Sequence, residues 1–420
     1  FSFHIISQLS QKLGCSTYGE VMEKTIGRRA KQIATYCLVL MLFLVIVAYL
    51  ILLRDVASEL IEYFTPDSVT LTILQKNLML TTLAVLAFPL MTSDSLHALR
   101  HTSYCGASCI VLLLSCLCHR AYQQHQAYES QGEGSELQYF PASPTDVLTA
   151  LPITFIGFLC HFNVNGIFCD LAKPQDIQFV TRTTVCGTAT IFLLFGFAGY
   201  VYAGAATADN VLKNFAVKDP VLMMARLGLS ITLMTQLPIM VIPCRKTLYP
   251  LLWPDTNQLE AKQRRRAQSH DIITRRLSSP REQRIRASSH SLQPLDYFGS
   301  GGVLEVEQGF GVQLDSTTVR YGLTFLILST TLMVSQSVPG VSVVWTVAGS
   351  TLTIVICFLL PAAAHISAWR KLQRGGGSGS ADVDTDVVGC YVMVAVSILF
   401  MLLCTPQALH NAFFASLPAT

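Results

Sequence analysis

The sequence predicts an all-α, polytopic membrane protein, and three observations carry that expectation. Of the 420 residues, 51% are hydrophobic and only 13% are charged. The mean hydropathy is +0.46, too apolar for a water-soluble domain of this size. The apolar residues are gathered into about nine runs, most of them long enough for a helix to cross a hydrocarbon core of about 30 Å. One run, Leu151 to Pro174, carries polar residues in its middle that hydrocarbon penalises.

Taken in order, the chain begins at Phe1 without an initiating Met. FSFHIIS reads as the tail of an apolar segment with no signal-peptide n-region, so the N-terminus is expected to be truncated and not processed. A polar, basic stretch with Lys12, Lys24, Arg28, Arg29 and Lys31 leads to a first span, Thr35 to Leu53. An acidic loop (Asp55, Glu59, Glu62, Asp67) precedes the second, Asn77 to Met91, which contains Pro89. The third runs from Ser103 to Cys118, and a loop with Glu129, Glu133, Glu136 and Asp146 leads into the fourth, Leu151 to Pro174. The fifth, Thr183 to Ala206, has the Gly and Ala content of close helix contacts in lipid. The sixth, Pro220 to Cys244, contains Pro238 and Pro243. A hydrophilic insert, residues 245–318, is expected to be a disordered basic cytoplasmic loop within one transmembrane domain spanning residues 1–420; its arginines suit anionic lipid. The seventh and eighth spans, Val319 to Val338 and Val341 to Ile366, flank a Pro339-Gly340 turn. After a GGGSGS linker, the ninth runs from Val387 to Cys404.

With the N-terminal segment cytoplasmic, alternate loops are basic: Lys24 to Lys31, Arg100, Lys173 with Arg182, the arginine insert, and Arg370 to Arg374. The opposite loops hold most of the acids, as the positive-inside rule requires. The 13 cysteines lie mostly inside or beside apolar runs. They read as small packing residues, with no zinc-type spacing and no metal or other cofactor expected. The expected partners are the lipid bilayer and a solute with its coupling cation, and no nucleic acid.

The fourth span, LPITFIGFLCHFNVNGIFCDLAKP, is apolar enough to enter a bilayer yet holds Gly157, Cys160, His161, Asn163, Asn165 and Gly166. A helix broken near mid-depth, with freed backbone groups turned to a protein-lined cavity, reconciles the two, and secondary transporters build solute sites that way. His161 is either a proton acceptor in the membrane or a histidine bonded to a neighbouring helix to hold the break rigid. Asn163 and Asn165 are expected to satisfy freed backbone groups. Thr235 and Gln236, just before Pro238, offer oxygens to a cation or belong to a kinked helix satisfied internally. Arg226 is expected to snorkel to the outer interface, and Asp170 with Lys173 to pair at the inner boundary. No catalytic residue is expected.

These residues give the chain a family resemblance. The fourth span is similar to the motif P-x-x-x-F-A-F-x-C-H-x-x-x-L-P-I-Y-x-E-L of the amino acid/auxin permease family, sodium-coupled neutral amino acid transporter branch, within the amino acid/polyamine/organocation superfamily. Pro152, Phe158, Cys160, His161, Ile167 and Leu171 match; Ile156 and Gly157 replace Phe-Ala, Phe168 replaces Tyr, and Asp170 replaces Glu. Gly166 stands where the family has Pro. CSTYGEVMEKTIG (residues 15–27), FPLMTSDSLHAL (88–99), ARLGLSITLMTQLPIMVIPCRKTL (225–248) and VWTVAGSTLTIVICFLLPAAAHI (344–366) resemble further family stretches in the right order.

The resemblance implies an incomplete five-plus-five inverted repeat lacking helix one and most of helix two. It also implies a secondary transporter of amino acids, neutral ones, working by alternating access in a plasma or vacuolar/lysosomal membrane. It puts the unwound segment within Phe155 to Cys160, so the substrate-binding candidates are Phe155, Ile156, Gly157, Phe158, Cys160 and His161. Exposed amides would hold the carboxylate, carbonyls the ammonium, and Phe155 or Phe158 the side chain; plain helix packing is the other reading of both aromatics. Sodium-coupled relatives resemble T-x-T-x-P where this chain has Met234-Thr235-Gln236-Leu237-Pro238. Two hydroxyls are therefore missing, and the coupling cation is H+ or Na+. Two other functions fit parts of the pattern: a membrane-embedded acyltransferase using His161 and Asn163, or a non-transporting amino acid sensor signalling through the arginine insert.

Overall fold

The computed structural model describes residues 1–15, 17–66, 70–92, 100–131, 137–138, 140–141, 143–164, 171, 176–208, 210–253, 317–374 and 381–414. All regular structure among them is helical. Nine helical segments of the described residues are long and apolar enough to cross a membrane, and they fall on the nine expected runs.

The basic N-terminal stretch folds as two short helices, α1 (Ser2–Leu13) and α2 (Tyr18–Thr25). Their apolar residues Ile5, Ile6, Leu9, Val21 and Met22 are buried, and their lysines lie at their ends. Gly14 ends α1 at φ 58°, and the N–H of Cys15 donates back to the Ser10 carbonyl at 3.1 Å. A side chain there would strain this left-handed turn. Thr17 caps α2 by accepting from the Glu20 N–H at 3.2 Å.

Helix α3 (Arg28–Phe64) is the axis of the fold. Its 37 residues span about 55 Å, well beyond a bilayer core of about 30 Å, so its acidic last turns stand clear of hydrocarbon. It is buried along its length, packing against α2, α4 (Ile73–Met91), α8 (Pro220–Leu252), α9 (Thr317–Ser337) and α10 (Val341–Ala348). Thr72 and Gln75 form a reciprocal capping box that starts α4.

Two helices outrun their apolar cores. Helix α5 (Arg100–Gln131) continues past Cys118 through good helix formers such as Arg120, Gln123, Gln124 and Ala127. Helix α8 continues past Cys244 to Leu252, so residues 245–252 of the expected loop are helical. Arg245, fully buried at the start of this extension, donates to the Met91 carbonyl at 3.0 Å and to Thr324 Oγ1 at 2.7 Å. Residues 317–318 of the expected loop likewise belong to α9, and residues 254–316 lie outside the described residues.

The eighth span is not one uniform helix. α10 passes into two π-helical turns, Gly349–Thr353 and Val355–Leu359, before α11 (Leu360–Arg374) resumes the α form. The last helix, α12 (Ala381–Phe414), packs along both turns. Gly349, at the first π turn, touches the backbone of α6 (Pro144–Gly157): a methyl group on it would overlap the Pro152 carbonyl. Gly349→Ala is expected to force α6 off α10 and to cost about 1–3 kcal/mol, read as a lower melting temperature of the purified protein in detergent.

Candidate functional site

Helix α6 starts where its sequence dictates. Ser143 and Asp146 form a capping box and Pro144 occupies the first turn, with the Ser143 N–H donating to Asp146 Oδ2 at 3.0 Å. It ends at Gly157, inside the apolar run, while helix resumes only over residues 161–164. The final turn tightens: the N–H groups of Phe158 and Leu159 reach back three residues, to Phe155 and Ile156, at 3.2 and 3.0 Å. Leu159 and Cys160 are non-helical, and the next turn closes with the Asn163 N–H donating to the Cys160 carbonyl at 2.9 Å. The expected break is therefore present, at 158–160.

Past the break the described residues place His161, 3% exposed, with the Phe3 ring stacked on it at 3.9 Å and the Phe358 ring edge-on at 6.4 Å. Among the described residues neither ring nitrogen has a hydrogen-bond partner. The alternative of a histidine bonded across to a neighbouring helix is not what these residues display.

The other candidates divide. Phe155 packs between Phe358 and Phe400, each at 5.6 Å, and Ile156 joins the core beside α1 and α3. Phe158 meets Phe192 of α7 (Ile177–Ala203) at 5.5 Å, and Gly157 faces that same ring. Cys160 sits half-buried at the break. Thus Cys160 and His161 border the break, while Phe155, Ile156 and Phe158 are held by apolar packing. The Asn163 side chain is exposed, and only its backbone N–H serves the turn. Asn165, Gly166, Ile167, Phe168, Asp170 and Lys173 lie outside the described residues.

The cation candidates are separate from this group. Thr235 Oγ1 donates to the Thr232 carbonyl at 2.9 Å, and the Gln236 amide lies over Gly106 of α5. That is the internally satisfied form of a proline-containing helix.

Arg226 corrects the expectation. It is 1% exposed and does not snorkel. Its Nε donates to Glu59 Oε2 at 2.7 Å, and its two terminal nitrogens donate to the carbonyls of Ala216, Val217, Leu212 and Phe215, each at 3.2 Å. All five guanidinium donors are used. The carbonyls belong to the connector between α7 and α8, which Lys213 also ties to Asp55 Oδ2 at 2.8 Å and Asp219 to Arg120 at 2.6 Å. A buried arginine is favoured over an interfacial one because the irregular connector leaves carbonyls that need donors. Arg226→Met, which strands Glu59, is expected to cost about 3–5 kcal/mol; combining it with Glu59→Gln should recover part of the loss in the same melting assay.

Asp219 also caps α8, accepting from the N–H groups of Val221 and Leu222 at 2.9 and 3.3 Å. Burial works to raise its carboxyl, but the Arg120 guanidinium and these two N–H groups outweigh it and hold the group below the usual carboxylate range. Such a group contributes stability above its unfolded-state value that is lost as the pH falls through its lowered one. Asp219→Asn is thus expected to melt lower than the wild type at neutral pH, the difference shrinking as the pH falls below the usual carboxylate range; melting curves from neutral to acid pH check it.

Sequence reasoning missed the wall opposite the break. The π turns of α10–α11 lean on α6, and their carbonyls take bonds from other helices. Tyr18 Oη donates to the Ile356 carbonyl at 2.7 Å, Ser2 Oγ to that of Cys357, and Thr405 Oγ1 to that of Ser350 at 3.1 Å. The available signal was the spacing of Thr346, Ser350, Thr353 and Cys357, which puts small polar residues on one face of an apolar span.

Residues 1–403 match the family described as transmembrane amino acid transporter protein. The chain belongs to that family. Its similarity extends to the amino acid transporter AVT6E of Arabidopsis thaliana, 23% identical over 277 residues, covering 63% of this chain and 57% of that protein. Solute carrier family 38 member 8 of Homo sapiens is 25% identical over 243 residues, with 56% of this chain and 55% of that protein covered. Vacuolar amino acid transporter 5 of Schizosaccharomyces pombe is 24% identical over 257 residues, with 59% and 58% covered. The chain spans little more than half the length of these relatives. Membership agrees with the resemblance in the fourth span and with a multi-pass membrane protein.

Proposed function

We propose that the full-length protein is a secondary transporter of amino acids, neutral ones, moving them by alternating access around the broken fourth span. The observation that carries this reading is the helix interruption at 158–160 beside a buried histidine whose nitrogens have no partner among the described residues. An interruption inside an apolar span leaves backbone groups that a bound polar solute pairs well. The family and the relatives' names support amino acids as the solute class. The name of the S. pombe relative supports a vacuolar-type membrane.

For the coupling ion we favour the proton. The Thr235 hydroxyl is already spent on its own helix, whereas His161 carries an exchangeable site next to the break. The acyltransferase reading needs His161 and Asn163 to work together, and here one is buried while the other is exposed.

Counterflow in proteoliposomes with a panel of amino acids, with and without sodium and a pH gradient, tests the proposal. Uptake of neutral amino acids that follows the pH gradient and ignores sodium is the expected result. His161→Gln is expected to abolish the pH dependence. Exchange of no amino acid in the panel would contradict the transporter reading, and sodium dependence would contradict the proton.

A further inference from the structure

Many threonines of the membrane helices share a habit that Thr353 does not. Thr81, Thr232, Thr331, Thr346 and Thr351 each donate their hydroxyl to the carbonyl four residues back, at 2.7 to 2.9 Å. That bond hides a polar group in an apolar span at little cost. Thr353 is fully buried, and its Oγ1 has no partner among the described residues. It closes the first π turn, Gly349–Thr353.

The turn that ends in Thr353 packs on α6. One turn further, Phe358 sets its ring edge-on to His161, with the centroids 6.4 Å apart. Two polar side chains, each more than nine-tenths buried, therefore stand without partners where the broken helix meets the π turns. Leaving a buried polar atom unpaired costs about 1–3 kcal/mol. Two of them in one place call for an explanation, and a bound polar solute supplies one.

We propose that the π turns of α10–α11 form the second wall of the solute site, with Thr353 and His161 as the paired groups that bind the zwitterionic end of an amino acid. The Thr353 hydroxyl and one imidazole N–H donate to the carboxylate, and carbonyls freed at the break accept from the ammonium. This assignment rests on the transporter reading above and adds to it a residue outside the broken span.

The test uses the purified full-length protein, its melting temperature with and without the amino acid panel, and uptake in proteoliposomes. Thr353→Val removes the hydroxyl at nearly constant shape. Without ligand it is expected to melt at or above the wild-type temperature, because an unpaired buried group has been removed. Its ligand-induced stabilisation should vanish and its KM should rise about tenfold, while Thr353→Ser restores both. A wild-type-like ligand response in Thr353→Val overturns the assignment and leaves the transporter reading intact. A lower unliganded melting temperature overturns it too, since the hydroxyl would then be paired within the protein. If no amino acid stabilises or crosses with the wild type, the transporter reading fails and this assignment with it.

Discussion

Everything near the candidate site depends on the backbone contact between α6 and the first π turn. Gly349 lies so close to the Pro152 carbonyl that no side chain fits between them. Small residues permit this approach in a span where lipid supplies no hydrophobic drive for helix association. The contact sets the distance from the break to the opposite wall, and the same wall takes bonds from α1, α2 and α12 through Ser2, Tyr18 and Thr405. Three helices thus hold carbonyls that the π register leaves available, while the hydroxyl of Thr353 stays unspent. One irregular helix steadies another, and the polar groups left between them are those of the proposed site.

The opposite end of the fold is organised by charge. Arg226 spends every donor on Glu59 and four connector carbonyls, Asp219 caps α8 while pairing with Arg120, and Lys213 meets Asp55. A single buried ion pair is weak evidence for stability. Here, however, the charges satisfy backbone groups of an irregular connector that would otherwise be buried unpaired, so they fix where α7 hands over to α8. The Arg245 bonds to Met91 and Thr324 tie α8 to α4 and α9. The interior around His161 is left to aromatic packing.

Much of this was legible in the sequence, for physical reasons that differ by element. Hydropathy located the nine spans seen among the described residues because each must hide its backbone in hydrocarbon, whereas the capped starts at Thr72 and Ser143 lie upstream of the expected span bounds. The break was legible because hydrocarbon tolerates polar residues and Gly157 inside an apolar run only where the helix opens onto protein or solute. What escaped was long-range: Arg226 looked like an interfacial arginine because nothing local predicts that a connector will fold over it. Phe155 and Phe158 looked like site residues, yet Phe358, Phe400 and Phe192, distant in sequence, claim their rings. The π turns escaped because Gly349 to Leu359 reads locally as an ordinary apolar helix, and only the unpartnered Thr353 betrays the change of register.

The most direct measurement is a high-resolution density map of the full-length protein with a neutral amino acid bound. The account predicts a helix interrupted at 158–160 and ligand density bridging His161 and Thr353. An unbroken helix through residues 157–164, or a ligand seated away from the π turns of α10–α11, would contradict it.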